Sequence, residues 1–136
     1  MRVKIEPVGY EATLELRQRV LWPNKPIEFC LVEGDENATH FGAYLKDELV
    51  GVASVYEHLG SARLRKFAVD EKYQNMGVGS DILAHIVKSC KSSELSTLWC
   101  DARESATHFY ERFGMCIEGE KFYKAEIPYF KMTLTL

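Results

Sequence analysis

The chain lacks any run of 18 apolar residues among its 136, so no segment reads as a membrane-spanning helix. It has no basic excess: 17 Lys and Arg stand against 20 Asp and Glu, for a net charge of −3. That balance argues against a nucleic-acid-binding surface. The first residues, Met1-Arg2-Val3-Lys4-Ile5-Glu6, lack the apolar core of a secretory signal. The four cysteines, Cys30, Cys90, Cys100 and Cys116, have no metal-ligand spacing, so no metal is expected. Reduced, mostly buried thiols in a cytoplasmic protein are the expected reading. Repeats, low-complexity tracts and linkers are missing too, and one domain over residues 1–136 is expected.

What is present alternates between strand and helix patterns. A short strand over 2–7 ends at Pro7. A helix over 9–21 carries Tyr10, Thr13, Leu14, Arg17, Val20 and Leu21 on one face and stops at Pro23 and Pro26. Residues 33–37 read as a loop. Strands over 39–46 and 48–58 form a hairpin through Lys46-Asp47-Glu48, and a third strand over 62–70 follows Gly60-Ser61. A helix to about residue 92 turns Ile82, Leu83, Ile86, Val87 and Cys90 inward. A strand at 96–101, a helix at 104–113 and strands at 115–124 and 127–135 complete the chain, with Gly114 placed to cap the second of these helices. The order is mixed α/β.

Two places break the regular patterns. In Arg63-Leu64-Arg65-Lys66-Phe67-Ala68-Val69 the apolar step from Leu64 to Phe67 is three, where a strand repeats every two. One inserted residue, a β-bulge, would return Leu64, Phe67 and Val69 to one face; an ordinary strand with a buried Arg or an exposed Leu fits the same pattern. Second, Gln74-Asn75-Met76-Gly77-Val78-Gly79-Ser80 puts two glycines where a helix begins. The first turn of a helix has N–H groups without partners, and glycines let an anion approach them closely. A tight structural turn is the alternative.

Gln74-Asn75-Met76-Gly77-Val78-Gly79 resembles the Gln/Arg-x-x-Gly-x-Gly/Ala signature of the GNAT superfamily of acyl-CoA-dependent N-acetyltransferases. Lys66-Phe67-Ala68-Val69 fits the strand in front of that signature. The stretch from Ala106 through Phe109-Tyr110 to Gly114-Met115 resembles the family's Ala-x-x-Phe-Tyr-x-x-x-Gly-Phe. The tail resembles a small bacterial branch that reads Gly-Ile-Pro-His, with Glu126 here in place of the glycine and Tyr129 in place of the histidine. The resemblance implies a mixed, mostly antiparallel sheet of about seven strands, flanked by helices, with a bulged and splayed central strand. It implies that N–H groups of Gln74, Asn75, Met76, Gly77, Val78, Gly79 and Ser80 hold the coenzyme A pyrophosphate. It also implies that the main chain of Phe67, Ala68 and Val69 pairs with the pantetheine arm. Acetyl-CoA is then the expected co-substrate.

Such a transfer needs a neutral amine, a donor for the developing oxyanion and a proton for the leaving thiolate. Tyr110 is the candidate acid by its place in the motif; a packed core aromatic is the alternative, since Ala106, Phe109, Tyr110 and Phe113 share helical spacing. The Val69 amide is the candidate oxyanion donor. No base stands out: Glu57, His58, His40 and His108 are each readable as structural or surface groups. Arg17 reads as an acid-binding group or one half of an ion pair, and Glu33, Asp35 and Glu36 as an attraction for a cationic amine or a solvated loop. The expected function is acetyl transfer from acetyl-CoA to a primary amine, either a small molecule or a protein amine. A catalytically silent acetyl-CoA-binding or sensing module and a partner-binding domain on the same fold are the alternatives. Neither nucleic acid nor membrane is expected as a partner, and pairing of sheet edges into a homodimer is open.

Overall fold

The computed structural model describes residues 2–136. Its strands are β1 (Lys4–Val8), β2 (Thr39–Leu45), β3 (Glu48–His58), β4 (Ser61–Val69), β5 (Thr97–Arg103), β6 (Cys116–Lys124) and β7 (Ile127–Thr135). They form one seven-stranded sheet in the order β1-β2-β3-β4-β5-β7-β6. β4 and β5 run parallel, while β1–β2, β2–β3, β5–β7 and β6–β7 are antiparallel. The mixed α/β, mostly antiparallel architecture is as the sequence implied. The helices are α1 (Leu14–Leu16), α2 (Val78–Ser92) and α3 (Thr107–Glu111). By contacts the chain divides into two compact units, Met1–Tyr56 with Arg65–Ile86, and Glu57–Leu64 with Val87–Leu136.

In the first unit, Pro7 does not end β1 as expected. It pairs with Phe41 inside the strand, which a sheet edge tolerates because the missing N–H can face outward. The helix expected over 9–21 is three joined pieces: a 3₁₀ turn at Tyr10–Thr13, α1, and a π-helical turn at Arg17–Leu21. Residues Val50 to Val55 of β3 are buried without a break, the signature of a strand covered on both faces. Val52 packs with Leu16 of α1 and with Ala68. Its neighbour Gly51 points the other way, under α2. A Cβ on Gly51 would come within 2.8 Å of Ile82 Cδ1 and 3.3 Å of Val78 Cγ1. Glycine there lets the start of α2 lie close on the sheet. Ile82, Leu83 and Ile86 are fully buried along α2, each stabilising the fold by about 1.5–3 kcal/mol.

In the second unit, β5 alternates strictly, with Leu98, Cys100 and Ala102 buried. Cys100 pairs across the ladder with Met132, also buried. The outer strand β6 is exposed along most of its length. Ahead of α3 a 3₁₀ turn at Glu104–Ala106 takes up the first part of the expected helix. Gly114 ends it in the left-handed region at φ +89. Its N–H donates to Glu111 O, and the Met115 N–H returns to Tyr110 O, which satisfies carbonyls that a helix end leaves open.

Candidate active site

The turn between β4 and α2 is built by local bonds. The Asp70 N–H donates to Val50 O at 2.8 Å, and its carboxylate accepts from the Lys72 N–H at 3.0 Å. Arg19, from the π-helical turn, reaches the Asp70 carboxylate at 3.2 Å and Glu71 at 2.8 Å. Burial would raise the Asp70 carboxyl, but the Lys72 N–H and Arg19 outweigh it and hold it below the usual range. The Gln74 side-chain amide donates back to Val69 O at 2.9 Å. The chain then curls through two left-handed residues, Asn75 at φ +63 and Gly77 at φ +89. The first helical bond of α2 runs from the Asp81 N–H to Gly77 O at 3.0 Å.

Gln74, Asn75, Met76 and Gly77 are exposed, so the opening of α2 faces solvent through them. A Cβ on Gly77 would meet nothing within 4 Å, so glycine is required there by backbone angle and not by space. Gly79 lies inside the first turn of α2, where conformation does not ask for it. The N–H groups that a helix's first turn leaves without intrahelical partners, the positive end of a 15-residue helix and the open approach at Gly77 fit a pyrophosphate. The residues present therefore suit the donor that the signature implies.

In β4, Lys66 stands at φ +55, in the left-handed region, between Leu64 and Phe67. The left-handed residue falls inside the three-residue step, but the expected common face of Leu64, Phe67 and Val69 does not form: Leu64 is buried with Ala62 and Ala68 at the even spacing of an ordinary strand. The parallel register with β5 runs from Ser61↔Thr97 to Leu64↔Cys100. Beyond the break Ala68 is the buried residue, packed with Leu16 and Val52, while Phe67 and Val69 are half-buried.

Tyr110 is buried at 8% exposure, with its ring edge-on to Phe109. Its hydroxyl donates to the Cys100 sulfur, and burial pushes its pKa above the ordinary tyrosine range. Burial also pushes the Cys100 thiol up to about 12. His108, two residues away, is exposed and pairs with Glu111 at 3.1 Å. Glu57 and His58 are exposed at the end of β3.

Three of the remaining candidates from the first unit, Arg17, Asp35 and His40, gather in one buried network. Arg17 is wholly buried. It donates to both oxygens of Asp35 at 2.9 and 3.0 Å, to Ser54 Oγ at 3.0 Å and to Cys30 O at 3.0 Å. Tyr56 donates to Asp35 as well. His40 lies 2.6 Å from Ser54 Oγ and 2.7 Å from Asp35 O. Burial would raise the Asp35 carboxyl, yet Arg17, Tyr56 and the Val32 N–H bring it down to about 2. Arg17 is thus half of an internal ion pair, and Asp35 is not available to an amine. Glu33 and Glu36 stay exposed. Ser54 and Tyr56 escaped the sequence reading; the one hint was a charged Arg17 on an apolar face. Among the described residues no group of three or more His, Cys, Asp or Glu side chains could hold a metal ion.

A mixed seven-stranded sheet with a broken fourth strand and a glycine turn opening the next helix defines an acyl-CoA-dependent acyltransferase. The acetyltransferase (GNAT) domain family matches residues 24–136, and the chain belongs to that family of N-acetyltransferases. It is 28% identical over 129 residues to the uncharacterised N-acetyltransferase YitI of Bacillus subtilis, covering 88% of this chain and 87% of the relative. The ribosomal-protein-S18-alanine N-acetyltransferase of Escherichia coli superposes with a TM-score of 0.82 at 20% identity, over 98% of this chain and 94% of that one. A GNAT family acetyltransferase of Elizabethkingia anophelis with acetyl-CoA bound superposes with a TM-score of 0.76 at 18% identity, over 98% of each chain.

Proposed function

We propose that this enzyme moves an acetyl group from acetyl-CoA to a primary amine by direct attack, with residues 1–136 acting as one acetyltransferase domain. The observation that carries the proposal is the exposed, left-handed Gln74–Gly77 turn at the N-terminus of α2. N–H groups from Gln74 to Ser80 would hold the pyrophosphate, and the main chain of Phe67, Ala68 and Val69 would pair with the pantetheine arm. The strained Lys66 immediately before them supports this use, because left-handed non-glycine residues cluster at functional sites. Acetyl-CoA supplies the activated thioester. The Val69 N–H would stabilise the oxyanion.

Tyr110 is the proposed general acid. Its raised pKa keeps the phenol protonated at any working pH, which preserves the donor but makes it a reluctant acid. Its hydroxyl already donates to a sulfur, that of Cys100, the same element as the leaving group. The acceptor is proposed as a small-molecule or protein amine; the Escherichia coli relative, by its name, acts on an alanine of a ribosomal protein. Three of the four thiols are buried, in keeping with a proposed cytoplasmic residence.

Calorimetry of acetyl-CoA binding tests the donor site. Gly79→Val should weaken affinity at least tenfold, about 1.4 kcal/mol. Unchanged affinity in a folded variant removes the cradle. Thiol release across an amine panel tests catalysis, and tight acetyl-CoA binding without turnover on any amine would leave a sensing module.

A further inference from the structure

Arg17 and Arg19 leave the same π-helical turn in different directions. Arg17 goes inward to Asp35, while Arg19 crosses to the turn that opens α2, 51 positions along the chain. Its guanidinium spans two carboxylates there, with Nη2 at 3.2 Å from Asp70 Oδ2 and Nη1 at 2.8 Å from Glu71 Oε1. The planar fork of an arginine bridges two such acceptors better than the single ammonium of a lysine. Val20 and Leu21, the next two residues, pack against Leu16, Val52 and Ala68. The stem of Arg19 is thus fixed beside the end of β4. A π-helical turn is itself rare and occurs frequently at functional sites.

Asp70 shapes the turn that Arg19 reaches. Its side chain is 5% exposed. Its Oδ1 caps the 3₁₀ turn Glu71–Tyr73 by taking the Lys72 N–H. That turn delivers the chain to Gln74 and to the left-handed Asn75 and Gly77. The segment is also acidic. Asp70, Glu71 and Asp81 lie between the end of β4 and the first turn of α2, against Lys72, whose ammonium faces Glu48 at 3.8 Å. Carboxylates in that position oppose an incoming pyrophosphate. Arg19 meets two of them. It is 40% exposed, so the link is unlike the enclosed Arg17–Asp35 pair, and its contribution to folding is small.

We propose that Arg19 is a positioning residue for the donor. By spanning Asp70 and Glu71 it holds the turn in the shape that presents the Gln74–Ser80 N–H groups to the pyrophosphate, and it offsets two carboxylates that would repel that group. The proposal rests on the acetyl-CoA reading of the turn and requires no contact between Arg19 and the coenzyme.

Calorimetric titration of acetyl-CoA into the full chain tests it, with circular dichroism and melting of the same apo preparations as the check on folding. Arg19→Ala should weaken acetyl-CoA binding by about fivefold or more and shift the apo melting temperature by about 4 °C or less. Arg19→Lys, which keeps the charge but not the fork, should fall between wild type and Arg19→Ala. Glu71→Gln added to Arg19→Ala should recover about twofold in affinity, because one uncovered charge is gone. A purely structural Arg19 would lower the melting temperature and leave the affinity of the folded protein alone. That result overturns the proposal, as does a double variant that binds no better than Arg19→Ala. Should Arg19→Ala not fold, Arg19→Lys decides: weakened acetyl-CoA binding supports the proposal and wild-type affinity overturns it. Failure of the wild-type chain to bind acetyl-CoA overturns the donor reading and the proposal with it. Wild-type binding that Arg19→Ala leaves unmoved overturns the proposal alone.

Discussion

The two units bury their polar groups in opposite ways. In the first, a full ion pair lies inside: Arg17 and Asp35 are almost wholly shielded from water and are held by Cys30 O, Ser54, Tyr56 and the Val32 N–H. In the second, the buried pair is neutral, with the Tyr110 hydroxyl donating to the Cys100 sulfur. Shielding from water acts on both, but its effect depends on what answers it. Asp35 is surrounded by donors and stays ionised well below the usual carboxyl range. For Tyr110 and Cys100 desolvation is the largest influence, and both are pushed up and stay protonated. A buried charge therefore ties distant segments together, whereas a buried neutral pair asks only for a well-packed pocket.

The sharpest way to break the contrast is Asp35→Ala, which strands the Arg17 charge. It should destabilise the chain by about 3–5 kcal/mol in denaturant melts. Replacing both partners at once, Arg17→Met with Asp35→Leu, should cost clearly less, because no uncompensated charge is left. A double variant as unstable as Asp35→Ala would show that shape, not charge, governs the first core. The same pair sets an acid response. Asp35 sits at about 2 against an ordinary 3.8, so its stabilisation is complete above the ordinary value and is lost as pH falls from there through 2. Asp35→Asn should flatten the stability profile across that window, and a parallel wild-type-like fall would reject the assignment.

Tyr110→Phe probes the neutral pair. It keeps the ring and removes the donor. As the general acid its loss should lower turnover about 10²-fold with acetyl-CoA affinity nearly unchanged. As a packed aromatic it should keep full turnover and lose about 1 kcal/mol of stability from the broken bond. Turnover and melting temperature on one preparation distinguish the two.

The smallest effect concerns a turn. Gly77 and Glu126 both occupy the left-handed region, at φ +89 and +68, but only one is a glycine. Ala125 before Glu126 is left-handed too, at φ +47, so this tight hairpin between β6 and β7 has the two positive φ values for which Asn-Gly is best suited. Replacing Ala125-Glu126 with Asn-Gly should stabilise the chain by about 1 kcal/mol in the same melts. No gain would mean that side chains of the turn compensate for its backbone.

Much of the fold was legible because periodicity reports burial. The strand at β5 and the inward Ile82, Leu83, Ile86 and Cys90 of α2 follow from the sequence pattern, although Val87, expected with them, is half-buried; the three-residue step fell at the left-handed Lys66 without the common face it suggested. The left-handed turn was legible at Gly77 because glycine is the residue that adopts it without strain. The π-helical turn at Arg17–Leu21 was not legible, since its apolar spacing is close to that of an ordinary helix. Nor was the passage of β1 through Pro7, which depends on the strand lying at a sheet edge.

The sequence by itself determined the element order, the glycine turn into α2 and the family to which the chain belongs, because these rest on neighbours within a few positions. Only the tertiary structure decided what Arg17 and Tyr110 touch. Arg17 could have met a substrate or a carboxylate, and the Asp35 that answers it lies 18 positions along the chain, with Ser54 37 positions away. Tyr110 carried the same motif whether its hydroxyl faced water or a thiol, and it is the folding of β5 against α3 that puts Cys100 beneath it. Partnership between such groups depends on distance in space and on exclusion of water, and neither quantity is a property of any short stretch of chain.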